Sequence, residues 1–126
     1  MARKTSSNLT DAELRLMEVL WDKGPATVWG VLESLAAAPR LAYSTVITTL
    51  RILENKGYVR HKKDGRAFTY EPLVGRHEAR RSAAAHLLEQ LFEGSPELLM
   101  SSLFEDRKIS SEEFERLRRL VEEERP

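Results

Sequence analysis

The sequence has no cysteine, which excludes disulfides, thiolate metal sites and cysteine nucleophiles at once. A fold without disulfides must rest on packing, and a cytoplasmic home is the expectation. It has no apolar run near the roughly 18 residues that a membrane span needs. Residues 1–8 carry Arg3 and Lys4 with no apolar stretch behind them, which does not match a signal peptide. It also has no net charge: 20 Lys and Arg balance 20 Asp and Glu, so the total points to no partner. Only 7% of residues are aromatic, but at 41% hydrophobic the 126 residues suffice for one modest core or two small ones.

The neutral total hides an asymmetry. Residues 1–81 hold 14 basic against 9 acidic side chains, a net of +5, and residues 82–126 hold 6 against 11, a net of −5. Such a division suggests two tasks, with a polyanion facing the basic part.

Residues 10–23 predict a helix. Thr10 and Glu13 make a capping box, Leu14, Met17, Leu20 and Trp21 recur at helical spacing, and Gly24-Pro25 stops the run. A second helix is expected over about 27–37, capped by Thr27, with a stripe of Val28, Val31, Leu32 and Leu35 and Pro39 beyond its end. A third is expected over about 44–56, with Gly57 placed for a left-handed cap. Two short strands, 58–63 and 67–71, flank Asp64-Gly65, a strong hairpin signal, and Pro72 ends the second. Helix, helix, helix, hairpin is the order of a winged helix–turn–helix domain. Helices follow over about 78–93, from Ser95-Pro96-Glu97 onward, and after Ser110 or Ser111. The fold class expected is mainly α with a small β-hairpin. A winged DNA-binding domain would span 8–73 and a helical dimerisation domain 74–126.

On a helical wheel Val46, Leu50 and Leu53 form the buried side of the third helix. Ser44, Thr48, Arg51 and Asn55 point the other way, flanked by Thr45 and Ile47, and no acid joins them. Short hydroxyls permit close approach to phosphates and base edges, Arg forks onto guanine, and a thymine methyl accepts contact from Thr or Ile. An ordinary solvated face would mix Glu with Lys. The run His61-Lys62-Lys63-Asp64-Gly65-Arg66 puts three firm positive charges at the hairpin tip. Alone it reads as a solubilising turn; beside such a helix it reads as a wing laid on a DNA backbone.

The acidic half carries Leu88, Leu91, Phe92, Leu98, Leu99, Leu103, Phe104, Phe114, Leu117, Leu120 and Val121, too many apolar residues to leave wet on short helices. They could fold back on the winged domain or build a two-fold dimer matched to palindromic half-sites. Linked readers gain effective concentration, which favours the dimer. An enzyme is not expected. His61, His77 and His86 lack metal-ligand spacing, and no phosphate loop, nucleophile elbow or carboxylate pair is present. A protein-interaction module on a winged scaffold is the alternative, motivated by the neutral total and the acidic half. A small-molecule sensor has no pocket signature to support it.

The run from Leu41 through Tyr43-Ser44-Thr45-Val46-Ile47-Thr48-Thr49-Leu50 to Lys56-Gly57-Tyr58-Val59 resembles the recognition helix of the BlaI/MecI penicillinase repressor family. So do Leu9 to Glu13 with Val19-Leu20-Trp21, the wing residues 61–66, and Tyr70 to Leu73. Ser110 to Phe114 with Leu117-Arg118 resembles the family's last helix. The resemblance implies a dimeric repressor that binds inverted repeats of TACA/TGTA type without a cofactor. It implies helix contacts from Tyr43, Ser44, Thr45, Thr48 and Arg51, and wing contacts from Lys62, Lys63 and Arg66. Ile47 stands where some relatives carry Arg. In the β-lactam branch a membrane sensor protease triggers cleavage at an Asn-Phe bond. The matching pair here is Leu103-Phe104, which keeps the Phe and lacks the Asn. A copper-responsive branch carries a cysteine cluster, and this chain has none.

Overall fold

A computed structural model describes residues 9–35 and 41–123. The chain divides into two compact units, Met1–Ala83 and Ala84–Pro126.

The first unit runs α1 (Asp11–Lys23), β1 (Ala26–Thr27), α2 (Val28–Ser34), α3 (Tyr43–Lys56), β2 (Val59–Asp64) and β3 (Ala67–Pro72), and takes the first turns of α4 (Arg76–Leu91). Its antiparallel sheet has the order β1-β3-β2. Two strands were expected, and β1 is the third. It is only two residues long, directly after Gly24-Pro25, so no alternation reveals it. Its Ala26 lies opposite Tyr70 and its Thr27 opposite Thr69.

The capping box that opens α1 is formed: the Thr10 hydroxyl accepts from the Glu13 N–H at 3.2 Å, and the Glu13 carboxylate accepts from the Thr10 N–H at 3.0 Å. Glu13 is buried and also pairs with Lys56 at 2.7 Å, joining the start of α1 to the end of α3. The buried face of α1 is Glu13, Leu16, Met17 and Leu20; Met17 and Leu20 are buried as expected, Trp21 packs at the edge of the core, and Leu14 alone of the expected stripe faces out. Leu14 is 41% exposed. The two stripes share positions 17 and 20 and differ by about one residue's rotation of the helix, which brings Leu16 and the paired Glu13 inward. Trp21, on the edge of that face, donates from Nε1 to the Val74 carbonyl at 2.9 Å.

Thr27 caps α2, its hydroxyl accepting from the Gly30 N–H at 3.0 Å. α2 ends at Ser34 with Leu35 as its C-cap, short of the expected end near 37; Ala36, Ala37, Pro39, Arg3 and Lys4 lie outside the described residues. Gly57 closes α3 with φ +91°, a left-handed conformation that a side chain would strain. Asp64 lies opposite Ala67, so the two-residue loop is Gly65-Arg66, with Gly65 at φ +63°. The loop therefore starts one residue later than the Asp64-Gly65 signal, with glycine taking the first loop position where positive φ is required.

One core fills this unit: Leu16, Met17 and Leu20 from α1, Val28 and Val31 from α2, Val46, Leu50 and Leu53 from α3, Tyr58, Val59 and Tyr70 from the hairpin, with Val74 and Ala79 behind it. Ala79 lies in the first turns of α4. Arg76, at the start of that helix, pairs with Glu18 and Asp22 at 2.7 Å each and lies over the Trp21 ring at 5.3 Å. Those two carboxylates raise the Arg76 pKa further.

The second unit holds the rest of α4 with α5 (Pro96–Glu105) and α6 (Ser111–Glu123). Ser95 caps α5, with Pro96 at its first position. Ser110 caps α6 through a second capping box with Glu113, at 3.0 and 3.1 Å. The Ser110 bonds hold the Glu113 carboxyl below the usual range. Phe104 and Phe114 meet edge to face at 5.2 Å. No described residue of this unit is fully buried within the chain.

Candidate nucleic-acid interface

The burial of Val46, Thr49, Leu50 and Leu53 fixes which side of α3 faces inward. Tyr43, Ser44, Thr45, Thr48, Arg51 and Asn55 are all exposed; the wheel places Ser44, Thr48, Arg51 and Asn55 outward with Thr45 on their flank, and Tyr43 lies beyond that face at the start of the helix. Thr49 turns its hydroxyl onto the Thr45 carbonyl at 2.7 Å, so even this buried polar atom is satisfied. The helix begins at Ala42 with no side-chain cap and no acid in its first turn. Its leading N–H groups, at the positive end of the helix dipole, are therefore open to an anion.

The acid flanking this face is occupied. Glu54 receives His61 Nδ1 at 2.8 Å and the His61 N–H at 3.3 Å. The His61 ring then packs on Phe68 at 4.9 Å and Tyr70 at 5.6 Å. This contact ties the wing to the recognition helix. Burial pushes the Tyr70 phenol up, Glu54 adds to the shift, and Arg51 opposes it.

The wing charges are not equivalent. Lys62 lies 3.3 Å from Glu71, which also receives Arg60 Nε. The Arg60 hydrogen bond, with help from Lys62, holds the Glu71 carboxyl below the usual carboxylate range. Lys63 and Arg66, among the described residues, form no ion pair. The sequence treats the three cations as equal, whereas the antiparallel register brings Glu71 opposite Arg60 and within reach of Lys62.

Two aromatic residues that the sequence pattern does not mark, Trp29 and Phe68, stand at this interface. Trp29 is 60% exposed and packs against Tyr43, the two rings tilted with centroids 4.7 Å apart. Phe68 is 47% exposed. Tyr43 itself is a candidate contact whose ring partner was not foreseen. The available signal was an apolar ring on an otherwise polar strand or helix face.

Of the residues expected to join two copies, Leu88, Phe92, Leu99 and Leu103 are half-buried. Leu91, Phe104, Phe114, Leu117, Leu120 and Val121 are exposed in the single chain. Leu103 and Phe104 both lie in the last turn of α5. Among the described residues no group of His, Asp and Glu could hold a metal ion, and no helix is long and apolar enough to cross a membrane.

The chain is 35% identical over 125 residues to the transcriptional regulator BlaI of Mycobacterium tuberculosis, covering 98% of this chain and 88% of that one. It is 27% identical over 120 residues to the penicillinase repressor of Bacillus licheniformis, covering 95% and 94%. Among solved structures, the solution structure of the DNA-binding domain of the repressor BlaI matches with a TM-score of 0.53 at 31% identity. That match covers 60% of this chain and 92% of that domain. Residues 9–123 match the penicillinase repressor family, so the winged unit and its helical companion, which share one unbroken match, belong to the penicillinase repressor family.

Proposed function

We propose that this protein is a transcriptional repressor that binds a palindromic DNA operator as a homodimer. The observation that carries this reading is the acid-free outward face of α3, with the flanking acid Glu54 bound by the wing. In this reading α3 lies in the major groove. Tyr43, Ser44, Thr45, Thr48 and Arg51 contact base edges and nearby phosphates, and Lys62, Lys63 and Arg66 hold the backbone. Residues 8–73 form the DNA-binding part and residues 74–126 the dimerisation part. The family is one of repressors, not enzymes, and the protein works without a cofactor, in the cytoplasm.

The apolar surface of the second unit supports the dimer. Leu91 is 71% exposed, Val121 65% and Leu120 55%. Leu117, Leu120 and Val121 share one face of α6 at helical spacing, which a two-fold partner would cover. Release by a membrane sensor protease would act at Leu103-Phe104, where fraying of a single helical turn would expose the bond.

The test is selection from a library of inverted repeats with the full chain, followed by sedimentation of free and bound protein. An enriched repeat with half-sites one helical turn apart, bound two chains per site, is expected. The double change Leu117→Glu and Leu120→Glu should give a monomer that still binds a half-site but loses at least tenfold on the full operator. Failure to enrich any repeat would overturn the reading. A cut after Leu103 on incubation with a sensor protease, seen by mass spectrometry, checks the release step.

A further inference from the structure

The cavity between the recognition helix and the wing does not look like a phosphate-binding surface. It has a volume of about 260 Å³ and is lined mainly by Trp29, Tyr43, Ile47 and Phe68, with Thr27 and Arg66 as its polar members. Trp29, from the first turn of α2, and Tyr43, from the first turn of α3, pack against each other. Ile47 lies one turn after Tyr43 and rests against the core. No acid lines the cavity. Arg51, Lys63 and Arg66 stand exposed on the helix and wing that frame it.

Leaving rings open to water costs free energy, so a contiguous exposed apolar patch marks a contact surface. Two facts select the occupant. The cations around the patch favour a polyanion over an apolar protein surface. The patch also includes the first turns of the recognition helix, the part that meets base edges in a helix–turn–helix complex. On the major-groove edge of DNA the one apolar group is the C5-methyl of thymine. We propose that Trp29, Tyr43, Ile47 and Phe68 form a thymine-methyl site, so that part of this protein's operator preference is read by apolar contact rather than by a hydrogen-bonding fork. The inference rests on the repressor reading and adds to it the base, and the atom of that base, that the patch recognises.

The experiment uses the full chain and the operator obtained by selection. Each thymine is replaced in turn by deoxyuridine, which removes the methyl and keeps every hydrogen-bonding group. At one thymine per half-site the replacement should weaken binding about fourfold, the effect of uncovering one methyl-sized group, and about fifteenfold when made in both half-sites. Other thymines should respond little. Trp29→Ala removes an exposed ring, and Ile47→Ala shortens a side chain that also touches the core, so thermal melting accompanies both. In each variant the deoxyuridine effect at that thymine should shrink toward none. Intact operator binding with no thymine sensitive to deoxyuridine would overturn the methyl site and leave the repressor reading standing. So would a sensitivity that both variants keep. If no operator is enriched, the repressor reading falls and the methyl site with it.

Discussion

Lys63→Ala is the sharpest test of how the wing is used, because the structure separates Lys63 from its neighbour. Lys62 shares Glu71 with Arg60, whereas Lys63 forms no ion pair among the described residues. A cation with no internal partner is free to displace a counterion from a phosphate. Each such contact contributes about 0.9 to the slope of log affinity against log salt. Lys63→Ala should therefore flatten that slope by about 0.9 per half-site. Over a fourfold rise in salt, its defect should narrow about 3.5-fold on a half-site and about 12-fold on a full operator. Lys62→Ala should flatten the slope less, since part of its charge is already answered by Glu71. Glu71→Gln should act in the opposite sense, freeing Lys62 and Arg60 and steepening the slope by up to about 0.9 per half-site. The assay is fluorescence anisotropy with labelled operator at four or five salt concentrations. Parallel lines for Lys63→Ala and the parent protein would refute the wing assignment, and so would a flatter line for Glu71→Gln.

Arg51→Ala should cost about 1–3 kcal/mol of discrimination at one base pair if the side chain forks onto guanine, with less change in affinity for unrelated DNA; competition binding against single-base operator variants checks this. Leu50→Ala empties a fully buried site between α1 and α3 and should lower stability by about 2–5 kcal/mol in urea unfolding. The Glu71 carboxyl is held below its ordinary range in the folded protein, so its contribution is complete above the unfolded-state value and lost as pH falls through the folded-state one. Glu71→Gln should remove that part of the acid dependence, as seen by comparing melting temperatures between pH 3 and pH 7.

Much of the winged unit is legible in the sequence because its signals are local and mutually consistent. The capping box at Thr10 and Glu13, the Thr27 cap, the glycine at 57 and the turn near 65 each act over a few residues, and each is found in place. The recognition face is legible for the same reason: three buried residues at helical spacing define the opposite side. What escaped depends on partners distant in the chain. Leu16 is buried and Leu14 is not, on a face whose Glu13 meets Lys56, 43 residues away. β1 exists only because β3 passes beside it. The aromatic walls come from three separate elements, so neither Trp29 nor Phe68 carries a mark in its own segment. The inequality of Lys62 and Lys63 arises from a cross-strand neighbour on β3.

The bond between Glu54 and His61 joins two parts that the duplex would otherwise meet separately. A change in the wing that displaces the imidazole also releases a carboxylate beside the reader helix, where it would repel the very phosphates that helix approaches. Substitutions in the two parts should therefore not combine as independent losses. Drift in the hairpin could retune which operators are accepted without altering a single base-contacting side chain.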